Sequence, residues 1–183
     1  AGKSTLLNAV TRSEVRAEDR LFATLDTTTR RLRFPSTREV VLTDTVGFIE
    51  HLPKELLQAF KATLEELDDA NLLLHVVDAA DPHFSLHIEV VNEVVADLKL
   101  ADVPMQMVFN QVDRLSDEQR LEVLRGYPDA LAVSALRREG LDGLLESMEK
   151  KLWRAGHGDL KPKWQREAER YTQMAEIEAA AAE

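Results

Sequence analysis

Gly2, Lys3 and Ser4 form a triplet whose chemistry suits a phosphate group. Glycine lets the backbone approach a phosphate closely, and the start of a following helix offers free N–H groups. The lysine would reach the outer phosphates of a nucleotide, and the serine hydroxyl would ligate Mg²⁺. The triplet matches the end of the phosphate-binding loop G-x-x-x-x-G-K-[ST], with Ala1 in its last variable position. The match is weakly specific alone, because the same triplet also occurs at ordinary helix starts.

A second element lies about 40 residues further on, in the stretch EVVLTDTVGF. Asp44 ends an apolar run that reads as a strand, and Gly47 follows after Thr45 and Val46. Open α/β sheets bind their ligands at the carboxyl ends of the strands. We therefore expect Asp44 to hold Mg²⁺ through water and the Gly47 N–H to contact the γ-phosphate.

A third element, MVFNQVD, places Asn110 and Asp113 directly after another apolar stretch. A carboxylate at the second position can accept hydrogen bonds from both N1–H and the N2 amine of guanine, which adenine cannot match. After the next predicted strand, the backbone N–H groups of Ser134 and Ala135 are expected to meet the guanine O6. The four elements in this order predict a GTPase and disfavour an ATPase or kinase.

Short apolar runs alternate with amphipathic stretches along the chain, which predicts a three-layer α/β fold with a mostly parallel sheet. Strands are predicted at 30–34, 39–45, 71–78, 104–110 and 130–135, with 71–78 fully buried. Helices are predicted at 4–12, 53–70, 84–100, 117–125 and from Leu141 to about Trp153. Residues 1–155 are expected to form the nucleotide-binding domain, and residues 156–183 a charged helical extension.

The composition and charge of the chain limit the kinds of partner that it is expected to bind. The 183 residues carry a formal charge of −10 and no cysteine. This charge argues against a general DNA-binding surface. No apolar stretch is long enough for a membrane span. His75, inside a predicted strand, is expected to be a hydrogen-bonded, buried or half-buried histidine.

The stretches AGKSTLLNAVT, FATLDTTTRRL and DTVGFIEHLPKELLQAFKATLEE, with the N-x-x-D and SAL elements, closely resemble the HflX family of GTPases over roughly residues 1–155. The resemblance implies Mg²⁺-dependent GTP hydrolysis to GDP and phosphate, association with the large ribosomal subunit, and a cytoplasmic setting with peripheral membrane contact left open. It implies catalytic roles for Lys3, Thr24 and Gly47, with Thr24 as a Mg²⁺ ligand beside Ser4 and Asp44. Thr28 is the nearest rival to Thr24. The remaining implied nucleotide contacts are Gly2, Thr5, Phe22, Ala23, Leu25, Asp26, Thr45, Val46, Asn110, Gln111, Asp113, Ser134 and Ala135.

Three departures from the family pattern and one difference from Ras-like enzymes qualify these expectations. Asp26-Thr27-Thr28-Thr29-Arg30 stands where the family usually has DPTTR, and the loss of the proline is expected to make this loop more flexible without removing a ligand. Phe48 stands where Ras-like enzymes place a water-orienting glutamine, so hydrolysis is expected to be slow without a partner, and a non-hydrolysing binding module is an alternative. Gln111 replaces the usual lysine of N-K-x-D, which predicts weaker binding with guanine selectivity kept by Asp113. The strand that would lead into the phosphate loop is absent from the chain. The sheet is therefore expected to lack its first strand, and a truncated domain with impaired nucleotide binding is a further alternative.

Overall fold

The computed structural model describes residues 1–11, 28–44, 70–98, 100 and 102–153. Four predicted segments lie outside these ranges: the helix at 53–70 apart from Ala70, the stretch 12–27, the segment Thr45 to Gly47 and the extension 156–183. The strands are β1 Thr28–Arg33, β2 Glu39–Asp44, β3 Leu73–Asp78, β4 Met105–Asn110 and β5 Leu131–Ala132. The helices are α1 Lys3–Thr11, α2 Phe84–Asp97, α3 Asp117–Gly126 and α4 Leu141–Trp153, with a 3₁₀ turn at Val112–Arg114.

The strands form two sheets within the described ranges. β1 and β2 pair antiparallel, from Thr28 opposite Asp44 to Arg33 opposite Glu39. β3, β4 and β5 pair in parallel, in that order. The strand predicted at 130–135 is only two residues long, because Ser134 pairs with Glu139 across a tight turn instead of continuing the parallel ladder.

Helices cover both faces of the parallel sheet, which confirms the three-layer α/β fold. Val108 and Phe109 are neighbours on β4 whose side chains point to opposite faces and pack in different cores. The core around Val108 contains residues of α1 and α4, among them Leu6, Val10, Leu144 and Met148. The core around Phe109 contains Ile88 of α2 together with Val77 and Val112. β4 is thus buried on both faces, as expected for a central parallel strand.

A cavity of about 580 Å³ lies between β2 and β3. We call this cavity the inter-sheet cleft. Its walls include Val40 and Leu42 of β2, Leu74 and Val76 of β3, and Leu6 of α1. The prediction that β3 is fully buried is wrong: Leu74 and Val76 are only partly buried. Among the described residues β3 pairs with β4 on one edge only, so its other edge borders the cleft.

β2 and β3 lie on opposite sides of the inter-sheet cleft, and each ends in a carboxylate. Asp44, the last residue of β2, contacts Ser4 at the start of α1. Asp78, the last residue of β3, lies 3.8 Å from the amino nitrogen of Ala1. The carboxyl ends of both strands therefore meet at the amino end of α1. None of the helices in the described ranges is long and apolar enough to cross a membrane.

Candidate nucleotide site

The phosphate end of the site comprises Gly2, Lys3, Ser4 and Asp44. Gly2 has φ +71°, a left-handed conformation that favours glycine, and its carbonyl accepts the Leu6 N–H at 2.9 Å in the first turn of α1. A Cβ atom at Gly2 would lie 2.8 Å from the Asn110 Nδ2 atom. Both the backbone angle and the close approach of Asn110 therefore require glycine at this position.

The Ser4 hydroxyl and the Asp44 carboxylate place two oxygen atoms that could ligate a metal ion beside Lys3. The Ser4 hydroxyl donates to the Asp44 carboxylate at 2.5 Å, and Asp44 is buried. Burial lowers the pKa of Lys3, and the charge of Asp44 opposes that shift. Hard oxygen donors are what Mg²⁺ prefers. Two such donors converging next to an ammonium group suit a magnesium ion bound with nucleotide phosphates.

Asn110 joins the phosphate end to the base end. Its side chain is 2 % exposed at the carboxyl end of β4. The Asn110 Nδ2 group donates to the Ala1 carbonyl at 2.9 Å and the Gly2 carbonyl at 3.4 Å. Its Oδ1 accepts the Ala135 N–H at 3.0 Å. One buried amide thus holds the turn before α1 and the loop after β5 in a fixed relation.

The base end of the site comprises Asn110, Asp113, Ser134 and Ala135. A hydrogen bond from the Ser134 side chain is the main cause that lowers the pKa of Asp113. Burial opposes this shift, while the Asp113 backbone amide and the nearby charges of Arg137 and Arg114 add to it. Asp113 is therefore held as a carboxylate, the acceptor that guanine N1–H and N2 require.

The backbone amides of Ser134 and Ala135 are not free donors in this structure. Ser134 N–H donates to the Glu139 carbonyl at 3.0 Å, and Ala135 N–H donates to Asn110. The turn between Ser134 and Glu139 and the Asn110 side chain use these two N–H groups here, and their contact with the guanine O6 stays a prediction.

The sequence reasoning missed Leu136, which is 78 % exposed directly after Ala135. A large apolar side chain at the rim of the base end offers a surface for the face of a planar ring. Its place after the Ser-Ala pair was the available signal.

Asp78 is a second residue that sequence reasoning missed. It ends β3 opposite Asn110 in the parallel register, and its Oδ2 accepts a hydrogen bond from the Gln111 side chain. A carboxylate at the end of an apolar strand was the signal that singled out Asp44, and it applies equally to Asp78. Gln111 itself adopts a left-handed backbone conformation.

Of the remaining sequence predictions, those for the segments around Thr24 and Gly47 stay untested, and that for His75 is tested. Thr24, its neighbours Phe22, Ala23, Leu25 and Asp26, and Thr45 to Gly47 lie outside the described residues, so their roles stay predictions. The prediction of a hydrogen-bonded His75 is wrong for its Nδ1 atom, which has no partner among the described residues. Burial lowers the pKa of His75 to about 4.

Comparisons with known proteins place the chain among GTPases. A family model described as 50S ribosome-binding GTPase matches residues 1–111. GTPase HflX of Caldanaerobacter subterraneus subsp. tengcongensis is 49 % identical over 154 residues, which is 84 % of this chain and 35 % of that protein. GTPase HflX of Escherichia coli K12 is 45 % identical over 83 % of this chain and 36 % of its own length. The chain thus spans about a third of the length of these relatives.

Solved structures share the fold. A GTP-binding protein from Sulfolobus solfataricus in complex with GDP superposes with a TM-score of 0.66 at 22 % identity, covering 84 % of this chain and 49 % of that one. Era in complex with MgGDPNP and a segment of 16S ribosomal RNA superposes with a TM-score of 0.64 at 22 % identity, covering 82 % of this chain and 52 % of that one.

Proposed function

Because this chain belongs to the 50S ribosome-binding GTPase family, and within it to the HflX branch, we propose that it binds GTP and GDP with Mg²⁺ and hydrolyses GTP to GDP and phosphate. The observation that carries the proposal is the position of Asn110. Its buried amide ties the carbonyls of Ala1 and Gly2 to the Ala135 N–H, and so joins a phosphate-loop sequence to a guanine-reading sequence.

The residues at the two ends divide the work of binding. Lys3 neutralises charge on the outer phosphates, and the backbone at Gly2 leaves room for their close approach. Ser4 and Asp44 would hold Mg²⁺, which when bound offsets the charge of the phosphate oxygens. Asp113 accepts the two guanine N–H groups, so adenine leaves this carboxylate unpaired.

GTP hydrolysis belongs to the same proposal as a slow reaction that the large ribosomal subunit accelerates. Phe48 cannot orient water by a hydrogen bond, so the chain depends on Lys3, backbone donors and a partner. Thr24 and Gly47 are proposed to complete the phosphate end. A ribosomal partner implies a cytoplasmic location, and residues 1–155 are proposed as the domain responsible.

Phosphate release measured with and without large ribosomal subunits tests this function. We expect little release alone and an increase with the subunits, with Lys3→Ala as the inactive control. Release that stays at the control level in both conditions, with GDP binding intact, would favour the non-hydrolysing binding module. Competition between GTP and ATP for binding tests the base: equal competition would contradict the assignment of Asp113.

A second candidate is a domain whose nucleotide affinity depends on an added strand, and the inter-sheet cleft supports it. β2 and β3 each pair with one neighbour among the described residues, and both line the cleft with apolar side chains. Their last residues, Asp44 and Asp78, lie near Ser4 and Ala1. A strand pairing with both edges would satisfy their backbone groups and support Lys3 and Ser4 from below. GDP titration of this chain, and of a version with an apolar strand joined before Ala1, compares the two candidates. If the two chains bound GDP with equal affinity, nucleotide binding would not depend on the added strand.

A further inference from the structure

Asp78 occupies a position between the two ends of the candidate nucleotide site. Its Oδ1 accepts the Ala80 N–H at 3.1 Å, which holds the carboxylate at the end of β3. Its Oδ2 accepts the Gln111 side-chain amide and lies 3.8 Å from the Ala1 nitrogen. Asp78 therefore contacts Gln111, which follows Asn110 of the base end. It also lies beside Ala1, which precedes Gly2 of the phosphate end.

Gln111 is held in an unusual backbone conformation. Its φ of 64° and ψ of 27° are left-handed, a region that non-glycine residues adopt rarely and at an energetic cost. The side-chain amide is used on both sides, since its nitrogen donates to Asp78 and its oxygen accepts Arg114 Nη1 at 2.8 Å. These bonds hold residue 111 in place between Asn110 and the 3₁₀ turn that carries Asp113.

The pairing of Asp78 with Gln111 joins a carboxylate to a neutral donor. A neutral amide satisfies one oxygen of the carboxylate but brings no charge of its own. A lysine in the same place would bring a positive charge to the carboxylate, so that both partners of the hydrogen bond would be ionised.

We propose that Asp78 is a positioning residue that holds residue 111, and through it Asn110 and Asp113, in the geometry that guanine binding requires. Gln111 makes this contact with a neutral donor, where a lysine would make an ion pair. The proposal rests on the guanine-nucleotide site proposed above, but the contact itself exists without nucleotide and is testable without it.

A double-mutant cycle on GDP affinity tests the proposal with Gln111→Lys, Asp78→Asn and both together. Gln111→Lys should tighten GDP binding by up to about fivefold, the effect of replacing a neutral donor to the carboxylate by a charged one in a partly exposed ion pair. The gain should disappear in the Asp78→Asn background. Asp97→Asn, which removes an exposed carboxylate at the end of α2, is the matched control and should leave the gain unchanged.

The same cycle in nucleotide-free thermal unfolding separates this proposal from the proposed function. Gln111→Lys should raise the melting temperature in the parent chain and fail to raise it in the Asp78→Asn background. Such coupling without GDP binding by any variant would contradict the nucleotide site while supporting the Asp78 contact. Measurable GDP binding with additive effects of the two substitutions, in both affinity and melting temperature, would overturn the role of Asp78.

Discussion

The base end and the phosphate end of the site are built in different ways. Asn110, Asp113, Ser134 and Ala135 follow strands of one parallel sheet and bond to one another. At the phosphate end, Ser4 begins a helix while its partner Asp44 ends a strand of the other sheet. The inter-sheet cleft lies between these two sheets.

This difference indicates which part of the site is preorganised. The base end keeps its geometry through side-chain hydrogen bonds between residues that follow neighbouring strands of one sheet, so it should hold its shape without ligand. The phosphate end depends on how α1 and β2 are placed across a cavity, because the Ser4–Asp44 bond spans the two. Guanine selectivity should therefore be less sensitive than phosphate affinity to changes around the cleft.

The largest expected effect is at the base end, with Asp113→Ala. Loss of an ionised acceptor for two guanine donors should weaken GDP binding by about 10²- to 10⁴-fold, since each hydrogen bond to a charged group contributes roughly 1.5–3 kcal/mol. Calorimetric titration measures this change, with the exposed Asp142→Ala as control. A loss below tenfold would show that Asp113 does not read the base.

The second substitution, Asn110→Ala, removes the residue that joins the two ends. It leaves the Ala135 N–H and two carbonyls without their partner, and the buried N–H is the most costly of these. The free energy of unfolding should fall by about 2–4 kcal/mol, as measured by urea denaturation. Asn92→Ala, at an exposed position of α2, should not lower the free energy of unfolding, because alanine favours helix more than asparagine. If the two substitutions changed the free energy of unfolding equally, Asn110 would not link the two ends of the site.

A third prediction concerns His75, which lines the inter-sheet cleft below the phosphate end. Its folded pKa of about 4 lies below the unfolded value of 6.5, so the unfolded chain binds the proton more tightly. Stability from this group is complete above pH 6.5 and is lost as the pH falls toward 4, by up to about 3 kcal/mol.

Urea unfolding at several pH values, compared between the parent chain and His75→Leu, isolates this contribution. The difference between the two chains should change between pH 6.5 and 4 and be constant above. A constant difference over the whole range would mean that His75 is protonated without cost, as in an open, hydrated cleft.

The smallest expected effect is that of Arg137→Ala. The Arg137 guanidinium lies 3.7 Å from Asp113 but its side chain is 61 % exposed, so solvent screens the pair. GDP affinity should change by less than about threefold, the range of an exposed ion pair. A large loss would mean that Arg137 contacts the nucleotide itself.

Local patterns in the sequence were sufficient for much of the fold. Helix α4 was predicted from Leu141 to about Trp153 and spans those residues, because its apolar side chains recur at helical spacing. The β1–β2 hairpin and strand β4 were also predicted close to their observed bounds. Strand β5 was predicted too long, because the bond between Ser134 and Glu139 depends on a turn that apolar periodicity does not reveal.

The sequence by itself determined the residue types of the site and their place at strand ends, since the motifs are local and their order follows the chain. Only the tertiary structure decided that Asn110 uses the Ala135 amide, that Asp78 holds Gln111, and that His75 has a buried nitrogen without a partner in the described part of the chain. These contacts join residues from separate elements, and their partners depend on strand register and on the inter-sheet cleft. The GKS triplet could therefore be read from sequence as a phosphate-binding element, but its dependence on two separate sheets could not.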